Sequence, residues 1–232
     1  MGRYEKAWQV ARQRIEAAEK TAQRVRGSVR LLAVSKTFPA DAVRDLHGSG
    51  QRAFGENYVQ EAAAKRASLS DLPDIVWHLI GPLQANKARE AAATFDWVET
   101  VDRPRIAERL SAARASSPLP LNVLVQVNAS GEATKHGVAP AEAVGLARYV
   151  ATLPNLRLRG IMGIPEATAD AERLRAQFRT LRECRDACAA AGLPADTLSM
   201  GMTDDLEIAI AEGATEIRVG RAIFGERERR QP

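Results

Sequence analysis

The sequence predicts a single (β/α)8 barrel, of the α/β class, with one extra helix at its N-terminus. Three observations carry this expectation. Short apolar runs rich in β-branched and aromatic residues alternate with longer segments rich in Ala, Arg and Glu, the pattern of strands that pair in parallel around intervening helices. The alternation occurs eight times along 232 residues, the strand number and approximate size of such a barrel. Several runs, such as Val123-Leu124-Val125-Gln126-Val127, are apolar almost throughout, as parallel strands covered on both faces should be.

The chain opens on a helix, expected over residues 1–27 and packed on the barrel. Tyr4, Trp8, Ala11, Ile15, Ala18, Ala22 and Val25 fall on one helical stripe. Gly27 stands where a helix stop is preferred. Strands are expected at Leu31–Lys36, Arg52–Glu56, Ile75–Gly81, Trp97–Val101, Asn122–Asn128, Leu156–Gly163, Thr197–Met202 and Glu216–Gly220. Between them, Pro39-Ala40-Asp41, Pro104, Pro140 and Asp170 suit first helical turns. Leu174, Phe178, Leu181, Cys184 and Cys188 share one stripe of a helix over residues 170–191, which Gly192-Leu193-Pro194 stops. The eighth strand lies close to the end of the chain, so the N-terminal helix is expected to cover part of the barrel. No low-complexity linker divides the chain, and residues 1–232 read as one domain. The rival fold, an open doubly wound sheet, needs G-x-G-x-x-G just after a strand. The nearest match, Gly48-Ser49-Gly50-Gln51-Arg52-Ala53, precedes one.

Composition narrows the function. The 33 Lys and Arg against 29 Asp and Glu leave only +4, too little to indicate nucleic acid unless clustered. The densest basic run, residues 227–230, is interrupted by Glu228 and reads as a solvated tail. No apolar run approaches the roughly 20 residues of a membrane span, and Met1 to Val10 is charged without a signal core. A cytoplasmic protein without membrane or nucleic-acid contact is expected. Cys184 and Cys188 read as small core residues. His47, His78 and His136 are far apart in sequence, so no metal site is expected.

In a (β/α)8 barrel the chemistry sits at the C-terminal ends of the strands. That rule selects Lys36, Glu56 with Asn57, Asn128, Met162 with Gly163, Met200 to Thr203, and Arg218, Gly220 and Arg221. Lys36 follows the apolar run Leu31-Leu32-Ala33-Val34-Ser35. Partial desolvation there favours the neutral amine, which forms Schiff bases with aldehydes; the alternative is a lysine that reaches past the strand into solvent. At the other edge of the same closure, strand eight runs into Gly220 and a short helical turn, a recurrent phosphate cradle of such barrels, or else an ordinary glycine turn. An amine and a phosphate cradle on one rim together suggest a phosphorylated aldehyde.

Longer blocks then carry a resemblance. Ala33-Val34-Ser35-Lys36-Thr37, Phe54-Gly55-Glu56-Asn57-Tyr58-Val59-Gln60-Glu61, Trp77-His78-Leu79-Ile80-Gly81-Pro82-Leu83-Gln84-Ala85-Asn86-Lys87, Leu198-Ser199-Met200-Gly201-Met202-Thr203-Asp204-Asp205 and Arg218-Val219-Gly220-Arg221-Ala222-Ile223-Phe224-Gly225 occur in order over residues 4–226. They resemble the pyridoxal phosphate homeostasis proteins, also called proline synthetase co-transcribed homologues. The resemblance implies a barrel similar to the N-terminal domain of alanine racemase, with pyridoxal 5′-phosphate (PLP) held as a Schiff base on Lys36. Arg218 would face the pyridine nitrogen. Ser199 and the backbone N–H groups of Gly220 and Arg221 would hold the phosphate, with Gly201 and Met202 alongside. Asn57 and Met162 would line the pocket. Two residues depart from the family pattern, Phe38 two positions after the lysine and Arg221 where a hydroxyl residue is usual. Lys135 matches another recurring lysine, of unassigned role.

The resemblance implies a monomeric carrier that limits free PLP, with transient hand-over to PLP-dependent apo-enzymes as a further expectation. The enzyme alternative, an amino-acid racemase, needs a second base. In racemases that base comes from an added β-domain, and this chain is expected to lack one because it stops at Pro232. Tyr58 is the tyrosine placed nearest the rim. A lysine-dependent aldolase without PLP is the third reading.

Overall fold

The structure is a computed structural model that describes residues 2–132 and 134–226; the basic run at 227–230 lies outside the described residues. The elements follow one another as α1 (Glu5–Thr21), β1 (Arg30–Val34), α2 (Ala40–Gly48), β2 (Ala53–Glu56), α3 (Val59–Ser68), β3 (Val76–Leu79), α4 (Ala88–Thr94), β4 (Trp97–Val101), α5 (Pro104–Ala113), β5 (Leu121–Val127), α6 (Ala143–Thr152), β6 (Leu156–Gly163), α7 (Ala171–Ala190), β7 (Thr197–Ser199), α8 (Leu206–Ala211), β8 (Glu216–Val219) and α9 (Arg221–Phe224). Each strand pairs with the next, and β8 returns to β1 in parallel register from Arg30↔Glu216 to Ala33↔Val219, closing the barrel. The expected (β/α)8 fold is therefore the observed one, and the open sheet is not.

Most of the apolar core lies between strands and helices, as the alternation requires. Smaller groups fill the barrel itself: Leu32, Val34 and Ile80 near the C-terminal end, and Trp97, Leu124 and Met162 deeper in. The inward face of β6 is set by a bulge. Pairing with β5 skips from Val123↔Leu158 to Leu124↔Gly160. Gly160 has φ +141°, and a Cβ there would lie 2.0 Å from the Thr197 carbonyl oxygen, so only glycine fits. Beyond the bulge Met162 points into the barrel while Ile161 packs on the helical layer.

Helix α1 ends earlier than expected. Gln23 takes the left-handed position that ends the helix (φ 55°), and the Arg24 N–H closes on the Glu19 carbonyl at 2.8 Å, the hydrogen bond of a Schellman-type stop; Gly27, also left-handed at φ 79°, lies past it. Val25 is consequently exposed rather than part of the buried stripe. The buried Glu19 carboxylate accepts the Gly27 and Val29 N–H groups at 2.9 and 2.7 Å, fastening α1 to the start of β1. Helix α1 packs on α8, α9 and α2. It fills the outer ring where the α9 that follows β8 is only four residues long. Among the described residues no helix is long and apolar enough to cross a membrane.

Candidate functional site

A cavity of about 380 Å³ opens at the C-terminal ends of the strands, within the usual size of small-molecule sites. Lys36, Asn57, Met202, Arg218, Gly220 and Arg221, all selected from the sequence, line it. Val34, Ile80, Gly81, Pro82, Ile164, Thr203 and Asp204 complete the wall. Val34 could have been found by stepping back two residues from Lys36, because side chains alternate in period two. Another groove of about 360 Å³, on the opposite face among Trp8, Arg12, Arg30 and Arg52, contains none of the residues at the C-terminal strand ends.

Lys36 lies two residues past β1 and is half-buried. The backbone on both sides of it is fixed. Ser35 donates its N–H to the Gly55 carbonyl at 3.0 Å and its hydroxyl to Glu56 Oε1 at 2.6 Å. Thr37 adopts φ 71°, a costly region for a β-branched residue, and is held there by its N–H donating to Glu61 Oε1 at 2.6 Å. Phe38 stacks on Phe224 with ring centroids 5.1 Å apart. That contact ties the segment after Lys36 to α9, the helix that starts at the glycine cradle. Asn57 is brought to the cavity by a close approach of β3: a Cβ on Gly81 would lie 2.3 Å from the Asn57 carbonyl oxygen.

Arg218 is 3% exposed and forms the charged floor. Its guanidinium donates to Ser199 Oγ at 2.7 Å and to the Gly163 carbonyl at 2.9 Å. Gly220 and Arg221 stand at the start of α9, whose first N–H groups have no acceptor within the helix. The Arg221 side chain is exposed and pairs with Asp204.

Of the residues assigned to the cofactor from the sequence, three sit outside the cavity lining. Ser199 is fully buried, and its hydroxyl is already engaged by Arg218 and by Glu99 Oε2, the latter at 2.6 Å. Gly201 is buried and accepts the Arg218 N–H at 3.0 Å. Met162 is fully buried against Trp97 and Leu124. They form the layer beneath the cavity. Tyr58 is 59% exposed and lines a neighbouring cleft instead. Asn128 organises its own loop, accepting the Ser130 hydroxyl and the Gly131 N–H. Lys135 reaches the Pro165 carbonyl at 3.4 Å and lines a small pocket that shares Ile80, Pro82 and Ile164 with the cavity wall.

One cluster escaped the sequence reading. Barrel closure brings His78 of β3, Glu99 of β4 and Glu216 of β8 together, with candidate ligand atoms within 4.8 Å of one another. Counting histidines and cysteines along the chain overlooked it because two of its members are glutamates on distant strands. Burial pushes His78 down to about 4. It is therefore neutral at pH 7, and its 4.0 Å approach to Glu216 is not an ion pair. Burial, reinforced by the Glu99 charge, pushes Glu216 up to about 7. A carboxyl raised in this way stabilises the fold while protonated and loses that advantage as pH rises from about 4.5 to about 7. Glu216→Gln removes the dependence. Relative to the parent, the variant should gain on the order of 3 kcal/mol across this window, read as the difference between urea midpoints. A difference that stays flat with pH would mean that Glu216 titrates as an ordinary carboxylate.

Comparison with known proteins places this site in context. The family profile described as "Alanine racemase, N-terminal domain" matches residues 11–228. A relative from Pseudomonas aeruginosa named "Pyridoxal phosphate homeostasis protein" is 55% identical over 215 residues, 93% of this chain and 92% of that one. The protein of the same name from Escherichia coli K12 is 48% identical, with 94% of each chain covered. The structure of PipY from Synechococcus elongatus with PLP bound superposes with a TM-score of 0.80 at 40% identity, over 91% of this chain and all of that one (100%). Alanine racemase from Clostridium difficile shares the fold (TM-score 0.73) at 15% identity, with 93% of this chain matching 56% of that one. By identity and coverage together, this chain belongs to the alanine racemase N-terminal domain family, in the branch of the pyridoxal phosphate homeostasis proteins.

Proposed function

We propose that this protein binds PLP through Lys36 and acts as a carrier of the cofactor, not as a committed enzyme. The observation that carries the reading is convergence: an amine, a buried guanidinium and a helix N-terminus meet in one cavity. They match the three recognition elements of PLP, its aldehyde, its ring nitrogen and its phosphate. Bound PLP supplies an electrophilic aldehyde and a ring that withdraws electrons. Lys36 would hold the cofactor through its amine, as a Schiff base to the aldehyde carbon. Arg218 donates only, so it leaves the ring nitrogen unprotonated and the ring a weaker electron sink than one paired with a carboxylate. Backbone N–H groups of Gly220 and Arg221 hold the phosphate, with the Arg221 charge beside them. Met202 and Asn57 border the ring. Ser199, whose hydroxyl is engaged by Arg218 and Glu99, serves as support for Arg218, with Gly201 and Met162 in the same layer.

The carrier reading is supported by the names of the relatives and by the wall of the cavity. Among the described residues that line it there is no histidine or tyrosine, and Asp204 is paired with Arg221. A racemase needs a base on each face of the substrate; Tyr58 lies in the adjacent cleft. The proposal extends to residues 1–232 forming one domain, active as a cytoplasmic monomer that passes PLP to apo-enzymes.

The test is a visible spectrum of the purified protein before and after borohydride, followed by intact mass. The expected result is a Schiff-base band that borohydride bleaches, with a single phosphopyridoxyl adduct on Lys36 and no turnover of amino acids. Absence of the band after PLP is added would overturn the reading. Trapping with a sugar or keto acid but not with PLP would establish the aldolase.

A further inference from the structure

A chain of buried polar groups runs along the barrel axis, from the N-terminal face to the cavity floor. Arg30, at the start of β1, lies 3.3 Å from Glu216 Oε2. The other oxygen, Glu216 Oε1, is buried and has no hydrogen-bond partner. A carboxylate oxygen of Glu216 and one of Glu99 lie within 4.8 Å of each other, where two ionised carboxylates would repel. His78 Nδ1 lies 2.7 Å from Glu99 Oε1. Ser199 donates its hydroxyl hydrogen to Glu99 Oε2, and Ser199 Oγ itself accepts from Arg218.

The direction of this chain is fixed by counting hydrogens. The Ser199 hydroxyl has one hydrogen, and Arg218 can only donate. Ser199 must therefore donate to Glu99 Oε2, which carries no proton. The buried Arg218 guanidinium needs a counter-charge, and Glu99, one hydroxyl away, is placed to supply it as a carboxylate. Two carboxylates this close cannot both be ionised in a dry core. The proton between them falls on Glu216, whose orphaned Oε1 is free to carry it.

We propose that Glu99 is the positioning residue of Arg218, kept ionised by a proton on Glu216, and that it fixes the guanidinium at the cavity floor through the Ser199 hydroxyl. In its cofactor consequence this rests on the PLP reading above. The charge that Arg218 presents to the ring nitrogen is then balanced from inside the barrel, out of contact with solvent. The other charged groups facing the cluster are Arg30 from β1, Asp96 just before β4, Arg159 from β6 over the Trp97 ring, and Asp205 after β7. All four remain in each variant below, so differences between variants report on Glu99, Ser199 and Arg218.

The test has two arms on the full chain. In the protein without PLP, a double-mutant cycle of Glu99→Gln and Arg218→Met is read in the unfolding equilibrium. The expected coupling is about tenfold or more in the unfolding constant; independent effects would overturn the proposal. In the PLP-loaded protein, Glu99→Gln should raise the PLP dissociation constant on the order of tenfold. It should also lower the pH midpoint of the visible band, because the floor loses a negative charge and the protonated Lys36 nitrogen is less favoured. A lower melting temperature with midpoint and affinity unchanged would mean a merely structural role and would overturn it. If the parent shows no borohydride-fixed band, the PLP reading fails and the cycle alone decides the positioning. If Glu99→Gln does not fold, Ser199→Ala, which cuts the same bridge with both charges in place, replaces it: coupled to Arg218→Met in the cycle, and with weaker PLP retention in the loaded protein. Additivity with Arg218→Met would overturn the proposal.

Discussion

Lys36→Ala abolishes the visible band of the PLP-loaded protein and leaves no borohydride-fixed adduct in the intact mass. The loss is expected to be complete, because alanine has no group that can form C=N, whereas the rest of the site persists. Arg218 and the N-terminus of α9 are anchored by contacts that do not involve Lys36, so PLP is still expected to bind, reversibly and without the band. The fold is expected to survive with a change of about 1 kcal/mol, as for other substitutions outside the core. Lys36 lies beyond the end of β1, and the backbone around it is held by Ser35, Thr37 and their partners. Circular dichroism and a thermal melt check this part. Retention of the band in Lys36→Ala would move the covalent bond to another amine. Lys135, on a pocket sharing part of the cavity wall, would then be the first to replace.

Much of this site is legible from residue order because barrel geometry converts strand ends into neighbours. Lys36, Asn57 and the Arg218–Gly220 segment are far apart in sequence, yet each lies at or just past the end of an apolar run, and closure delivers all of them to one rim. What lies one layer down is less legible. Whether Ser199 faces a ligand or supports Arg218 depends on which residue stands across the barrel from it, and that residue is Glu99, on a strand that does not pair with β7. A clue was present: Glu99, His78 and Glu216 are ionisable residues inside strands that are otherwise apolar or alternate tightly, and such residues need partners. The partners follow only from register and closure. The end of α1 was missed for a local reason. A glycine was expected at the left-handed position, but Gln23 occupies it, with the 2.8 Å bond from Arg24 to Glu19 defining the stop.

Lys65→Ala is expected to destabilise the protein by about 3–5 kcal/mol, the usual cost of removing one partner from a buried ion pair. Lys65, on α3, is 5% exposed, and its ammonium donates to Glu56 Oε1, Glu61 Oε1 and the Ser35 carbonyl, each at 2.7 Å. Glu56 is fully buried, and its second oxygen has no partner. Burial already raises the Glu56 pKa against the opposing pull of Lys65. Without the lysine, Glu56 fits the core only by taking up a proton. The folded pKa then stands further above the unfolded one, so the deficit is largest above neutral pH and shrinks on acidification. Replacing both partners with apolar residues of similar length, Lys65→Met with Glu56→Met, should recover most of the stability, because neither charge is then left alone. It should not recover PLP retention. Lys65 holds the carbonyl of Ser35 and Glu56 holds its hydroxyl, immediately before Lys36, and a hydrophobic pair packs without gripping either. Urea midpoints at two pH values test the first half, and the PLP dissociation constant of the double variant tests the second. A cost below about 1 kcal/mol for Lys65→Ala would mean that the pair is solvated. Parent-like PLP affinity in the double variant would mean that Lys36 needs no brace from α3.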